Sequence, residues 1–118
     1  MSATRQAIVD ALDTVTGVTG HLSIPDTPAA GDGWPVWESG AFRFGKLTQP
    51  IVHTYSAFVL LPAGYTPDVV DAGDSLVEQL MHALNKVGTV DVAEPVLVPV
   101  DNTSTMPAIR VRVAADPI

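Results

Sequence analysis

The sequence of 118 residues contains no cysteine, which excludes disulfide bonds, thiolate nucleophiles and metal sites with cysteine ligands. Charge is also scarce, because only 16% of the residues are charged, against about 25% in typical soluble domains. A small domain with so few charges leaves part of its surface poor in charged groups, and such surface is commonly covered by other subunits. We therefore expect the protein to form oligomers.

Basic residues are the scarcer charges: the chain has 6 Lys and Arg against 13 Asp and Glu, for a net charge of −7. Proteins that bind nucleic acid use clustered Lys and Arg to neutralise phosphates. The composition therefore argues against affinity for DNA and suits a surface that repels it.

Long hydrophobic runs are missing as well. The longest ones, "AFVLLPAGY" and "VLVPV", are far shorter than the roughly 18 residues that span a membrane. At the N-terminus, Arg5, Asp10 and Asp13 interrupt the apolar residues, so no continuous signal-peptide core is present. We expect a soluble protein that is made in a cytoplasm and has no membrane contact.

Two helices are predicted within a single domain that covers residues 1–118. The first has Ser2 or Thr4 as its cap, buries a stripe of Ile8, Leu12 and Val15, and ends near residue 17. The second has Thr66 as its cap, Pro67 in its first turn and Gly88 at its end. Its apolar stripe, flanked by Val77 and Met81, contains Gly73, Leu76, Leu80, Leu84 and Val87.

Five strands complete the predicted order α-β-β-β-α-β-β. "VTGHLSI" is a short strand, and a loop rich in Pro and Gly follows it. "VWESGAFRF" and "IVHTYSAFVLLP" form a long hairpin with its turn at Gly45 and Lys46, and "VDVAEPVLVPV" and "PAIRVRVAA" come after the second helix. This order predicts an α/β (α+β) fold, in which two helices pack on a mixed or antiparallel sheet of about five strands with a projecting hairpin.

Pro95 and Pro99 place the fourth strand at an edge of this sheet. They are four residues apart, so the N–H groups that they lack belong to the same lateral side of the strand. We expect that side to be unpaired and the strand to bond through Val96, Val98 and Val100.

Candidate sites for chemistry are few. Glu78 and His82 are four residues apart on the second helix and could hold a divalent ion together with Asp71 or Asp74. The spacing is common, and an ordinary solvated pair is the favoured interpretation. His53 shares a strand face with Tyr55 and could act as a base, but no triad partner is evident, so a structural or contact role is favoured. No catalytic, cofactor or metal site is predicted.

Contact residues are easier to nominate. Arg110 and Arg112 lie on one face of the last strand, where they could hold a phosphate or, as we favour, pair with a neighbour's carboxylates. Trp34 and Trp37 stand on either side of Pro35, which stiffens the segment for binding a partner. The alternative is that one or both indoles close the end of the core.

The order of these pieces resembles one known family. "RQAIVDALDTVTGV", "GDGWPVW", a hairpin, "DSLVEQLMHALNKVGTVDVAEPV" and "MPAIRVRV" together look like the tail terminator proteins of long-tailed bacteriophages, particularly those of actinobacteria. The resemblance covers nearly the whole chain. It implies a structural virion protein without enzymatic activity, located at the junction of tail and neck.

Such a protein forms a ring, usually of six subunits, on the last ring of the tail tube. The ring ends tube polymerisation and presents a surface to the connector or stopper protein of the head, while genomic DNA passes through its channel. Alternatives are another neck or head-completion protein or, less favoured, a small enzyme or ligand-binding domain built around His53, Tyr55 or the pair of Glu78 and His82.

The resemblance also directs the choice of site residues. Besides the two tryptophans and the two arginines, the hairpin tip contributes Phe44, Lys46 and Leu47 as expected subunit or partner contacts. Acids that face the channel are expected on the second helix, at Asp71, Asp74 and Glu78, or on the first, at Asp10 and Asp13.

Overall fold

Seven elements follow one another in the computed structural model, which describes residues 2–42, 50–61, 70–101 and 103–115. They are α1 (Ser2–Asp13), β1 (Thr19–Gly20), β2 (Asp32–Phe42), β3 (Pro50–Leu60), α2 (Val70–Leu84), β4 (Thr89–Pro99) and β5 (Thr105–Ala115). The predicted order α-β-β-β-α-β-β and the α+β class are confirmed.

The five strands form one mixed sheet in the order β1-β2-β3-β5-β4. β1 runs parallel to β2, and the other neighbouring strands are antiparallel. β4 lies at an edge, as Pro95 and Pro99 predict. The N–H of Val100 donates to the carbonyl of Ser104 at 3.0 Å, so the alternate residues of β4, including both prolines, turn their nitrogens away from β5.

Helix α1 packs its apolar stripe, Ile8, Leu12 and Val15, against the sheet. It approaches β1 so closely that a Cβ at Gly20 would lie 2.6 Å from the carbonyl oxygen of Val9. The N–H of Gly20 also donates to Asp13 Oδ1 at 2.7 Å, which ties the end of the helix to the strand. Thr4 lies within α1, so it is not the cap; α1 begins at Ser2, the other predicted cap.

Helix α2 buries Leu80 and Leu84 completely, with Leu76, Val77 and Val87 packed against the same core. It ends at Leu84, earlier than predicted, because the chain forms a tighter turn after this residue. The N–H groups of Val87 and Gly88 both donate to the carbonyl of Leu84. The predicted start at Thr66 and Pro67 lies outside the described residues. Met81 does not join the core and is 39% exposed.

The main core lies between the two helices and one face of the sheet. Alternate residues of β3 and β5 supply the sheet side of this core, namely Tyr55, Ala57, Val59, Ile109, Val111 and Val113. The opposite face, called here the second face, carries no helix in the described part of the chain. A smaller apolar cluster of Trp34, Leu60 and Ala108 is buried there.

β2 begins at Asp32 rather than at Val36, so residues 32–35, the end of the predicted loop, belong to a strand, while residues 25–31 form no strand, as predicted. Its first residues pair with β1, Asp32 with Thr19 and Gly33 with Gly20. Pro35 is tolerated because β1 has ended before it. The His21 N–H donates to the Gly33 carbonyl at 2.7 Å, so Pro35, two residues later, turns its nitrogen to the same side, where β1 no longer runs.

β1 itself has only two residues, which makes it much shorter than the predicted "VTGHLSI". The β2–β3 hairpin pairs from Gly33 and Val59 to Phe42 and Pro50, whereas the last β3–β5 pair joins His53 to Ala115. Within the described residues the hairpin therefore extends past β5. Its predicted turn falls in 43–49, outside the described residues.

Leu80→Ala should destabilise the protein by ~2–5 kcal/mol, because it opens a cavity at the centre of the core between α2 and the sheet. The matched control is Met81→Ala on the adjacent, exposed side of the same helix, which should cost much less. Urea unfolding followed by circular dichroism measures both. Equal losses for the two variants would show that the buried side of α2 is misassigned.

Candidate functional site

Arg110 is the centre of a polar network on the second face. Its Nε donates to Ser56 Oγ at 2.8 Å, its Nη1 donates to Glu94 Oε1 at 2.6 Å, and its Nη2 donates to Glu38 Oε1. The hydroxyl of Ser56 donates in turn to Glu38 Oε1 at 2.6 Å. One guanidinium thus connects β2, β3, β4 and β5.

Strand register explains how these side chains meet. Glu94 lies directly opposite Arg110 in the β4–β5 ladder. Glu38 falls at the irregularity between Trp37 and Ser39, where β2 has one residue more than β3. Such a bulge redirects a side chain, and here it accompanies a carboxylate that reaches across β3 to Arg110.

The electrostatics of the network favour its charged form. Burial alone would raise the pKa of Glu38, but hydrogen bonds from Ser56 and Arg110 and the positive charge of Arg110 outweigh it, so the pKa lies below its usual value. Hydrogen bonds to Glu38 and Glu94 raise the pKa of Arg110. Each guanidinium nitrogen of Arg110 already donates to the protein, which disfavours the phosphate-binding alternative.

Arg112 forms a second, separate ion pair. Its Nε donates to Asp91 Oδ1 at 3.0 Å and its Nη2 to Asp91 Oδ2 at 2.9 Å, and these bonds lower the pKa of Asp91. The favoured prediction was that Arg110 and Arg112 form ion pairs with carboxylates of a neighbouring subunit. In the structure both pair with carboxylates of their own chain, because β2 and β4 bring acids to the same face.

The two tryptophans differ in their surroundings. Trp34 is 4% exposed and stacks on Phe58 with ring centroids 6.0 Å apart, which supports the core alternative for this residue. Trp37 is 42% exposed and belongs to the other side of the sheet, opposite Tyr55 in the ladder. Its accessible indole keeps Trp37 available for a partner.

His53 is held by its aromatic neighbours. The indole N–H of Trp37 donates to His53 Nδ1 at 2.9 Å, and the imidazole is buried, with its centroid 6.4 Å from that of Tyr55. This hydrogen bond occupies the lone pair of Nδ1, with which the ring would otherwise accept a proton from a substrate. These contacts favour the structural role over that of a base.

Exposed apolar side chains gather at the edge of β2 beyond β1. Ile24, Val36 and Trp37, each about two-fifths exposed, line a shallow groove together with Arg5 and Ser23; we call it the Trp37 groove. Sequence reasoning found Trp37 but missed Ile24 and Val36. Val36 directly precedes Trp37, whereas Ile24 lies far from it along the chain and had no local signal.

A second apolar surface lies on the opposite edge of the sheet. Leu97 is 71% exposed, the most of the large hydrophobic side chains in the described part of the chain. Pro95 and Pro99, both exposed, stand two residues before and after it; we call these three residues the Leu97 ridge. Sequence reasoning identified the edge from the prolines but missed Leu97 as its exposed apolar residue.

Of the remaining candidate site residues, some are exposed and others lie outside the described part of the structure. Glu78 and His82 are exposed on α2, as expected. Nothing is described of the side chains of Asp71 and Asp74, and Phe44, Lys46 and Leu47 lie outside the described residues. Among residues whose positions are described, no three His, Asp or Glu side chains form a group that could hold a metal ion.

No model of a known protein family matches the chain, and a search of curated proteins finds no match either. In the described ranges, no helix is long and apolar enough to cross a membrane.

Glu38→Gln should destabilise the protein by about 1 kcal/mol at neutral pH, because it removes the charge from the bond to Arg110. The lowered pKa of Glu38 means that its contribution is present above the unfolded-state pKa and is lost as the pH falls through the folded-state pKa. The difference between parent and variant should therefore be fully present above the unfolded-state pKa and shrink as the pH falls below it.

Urea unfolding at a series of pH values measures this difference. Glu78→Gln, which removes a charge from an exposed position on α2, is the control and should cost much less stability at neutral pH. A gap between parent and Glu38→Gln that does not depend on pH would contradict the ionised network.

Proposed function

We propose that the protein is a structural subunit of a ring, with six copies as the expected number, that caps the tail tube of a long-tailed bacteriophage. The observation that carries the proposal is the pair of exposed apolar surfaces on opposite edges of one sheet, the Trp37 groove and the Leu97 ridge. A subunit with complementary surfaces on opposite sides can associate head to tail, and head-to-tail association closes into rings.

The fold agrees with what the resemblance implies. Two helices pack on one face of a five-stranded sheet, and the order of elements is that expected for tail terminators. The hairpin of β2 and β3 runs past the last β5 pair, which is the direction in which a tip carrying Phe44, Lys46 and Leu47 would reach a neighbouring ring or subunit.

The charge supports a channel that DNA traverses. The net charge of −7 makes an assembled ring strongly acidic, and a repulsive wall lets the duplex slide without being held. Glu78 is exposed on α2, with Asp74 and Asp71 about one and two turns earlier in the same helix. On α1, the carboxylate of Asp13 accepts a hydrogen bond from the backbone N–H of Gly20, and that of Asp10 accepts one from the side chain of Gln6. We therefore place the wall on α2.

In this function the partners are other copies of the chain, the tail tube protein below and the head connector or stopper protein above. The protein resides in the virion at the junction of tail and neck. It acts by occupying the growing end of the tube.

Addition of the protein to polymerising tail tube protein should shorten the tubes, because a capped end accepts no further subunits. Electron microscopy of the tube lengths measures this, and light scattering after gel filtration gives the mass of the free ring. A ring that forms but leaves tube length unchanged would favour the alternative of another neck or head-completion protein.

The purified protein should bind no duplex DNA even at ~50 mM salt, where phosphate contacts are strong. Glu78→Lys combined with Asp74→Lys should create measurable affinity if α2 lines the channel, whereas Asp10→Lys should change affinity less. Fluorescence anisotropy of a labelled duplex measures each. Binding by the unmodified protein would contradict the repulsive channel.

A further inference from the structure

We propose that the Trp37 groove of one copy receives the Leu97 ridge of the next copy, and that this contact joins the subunits. The inference rests on the proposed ring and names the two surfaces that build it. It assigns an occupant to each of these two exposed apolar surfaces.

Both surfaces expose apolar side chains. The groove follows the edge of β2, where the accessible indole of Trp37 lies on the helix side of the sheet and Val36 on the second face, and Ile24 also lines it. On the ridge, the exposed Leu97 stands between two exposed prolines. Aromatic side chains are enriched where rigid apolar groups are buried at a contact, and an indole in a groove provides a flat surface for proline and leucine.

The backbone of β4 favours side-chain docking over an added strand. Pro95 and Pro99 turn their nitrogens outward, so the outer edge of β4 lacks alternate N–H donors and cannot extend the ladder continuously. Pro35 removes an outward donor from the free edge of β2 in the same way. Contact between these edges must therefore come from their side chains, which are the exposed apolar groups just described.

Charge is complementary across the proposed contact. Arg5, on the groove side, donates to the carbonyl of Leu22 at 3.4 Å and has no carboxylate partner among the described residues. On the ridge side, residues 89–101 contain Asp91, Glu94 and Asp101 and no basic residue. Arg110 and Arg112 pair with Glu94 and Asp91, which leaves Asp101 as the acid on this side with no ion-pair partner among the described residues.

The positions of the two surfaces dictate the symmetry. The groove lies at the β2 edge and the ridge at the β4 edge, with β3 and β5 between them. A contact between different surfaces is heterologous, and it leaves one free groove and one free ridge on every open chain of subunits until the ring closes.

Three variants test the contact. Ile24→Ser with Val36→Ser removes the groove walls and leaves the bond between Trp37 and His53 intact; Leu97→Ser removes the ridge. Each should raise the dissociation constant of the assembly at least about tenfold, the usual effect of truncating residues at the centre of an interface. Met81→Ser, an equally exposed change on α2, is the control and should leave assembly unchanged. Circular dichroism verifies that each variant is folded.

Mixing the variants gives the decisive result. The groove variant still has its ridge and the ridge variant still has its groove, so an equal mixture should form a dimer and nothing larger, while each variant alone stays monomeric in gel filtration with light scattering. If the parent protein assembles and the variants assemble equally well, or if the mixture stays monomeric, the contact is wrong although the ring stands. A parent protein that is monomeric at high concentration overturns the ring and the contact together.

Discussion

The guanidinium of Arg110 connects four strands across the face of the sheet that lacks helices in the described part of the chain. Both helices pack on the other face, so this face gains its cross-strand support from a small apolar cluster and from the bonds of Arg110 to Glu38, Ser56 and Glu94. Charged hydrogen bonds of this kind are stronger than neutral ones. They fix the distance between β2 and β4, and with it the distance between the apolar surfaces at the two edges of the sheet.

Periodicity predicted most of the fold because each long element carries its own pattern. Leu80 and Leu84 mark the buried side of α2, and the two prolines of β4 mark the sheet edge, without any knowledge of what lies beside them. The start of β2 was hidden, since Gly33 and Pro35 are typical of loops. Only the pairing with β1 and the end of β1 at Gly20 make a strand possible there.

Contacts between residues that are distant in the sequence were less predictable than the helices and strands. The ion pair between Arg110 and Glu38 depends on the bulge in β2, and no local sequence pattern indicates such a bulge. Trp34 and Trp37 are three residues apart and look alike in the sequence, yet they fall on opposite sides of the sheet. Their alternation could be predicted only once both were known to lie in one strand, and this is why the candidate site was identified less completely than the fold.

The absence of cysteine makes the central claim, a ring joined by unlike edges, directly measurable. A chain with Ile24→Cys and Leu97→Cys can form a disulfide only between the introduced residues, and within one copy they lie at opposite edges of the sheet. After mild oxidation, a nonreducing gel should show a ladder of covalent multimers that stops at the size of the closed ring. Each single variant should give at most a weak dimer. A doubly substituted protein that stays monomeric on the gel, or strong dimers from Leu97→Cys alone, would contradict the account.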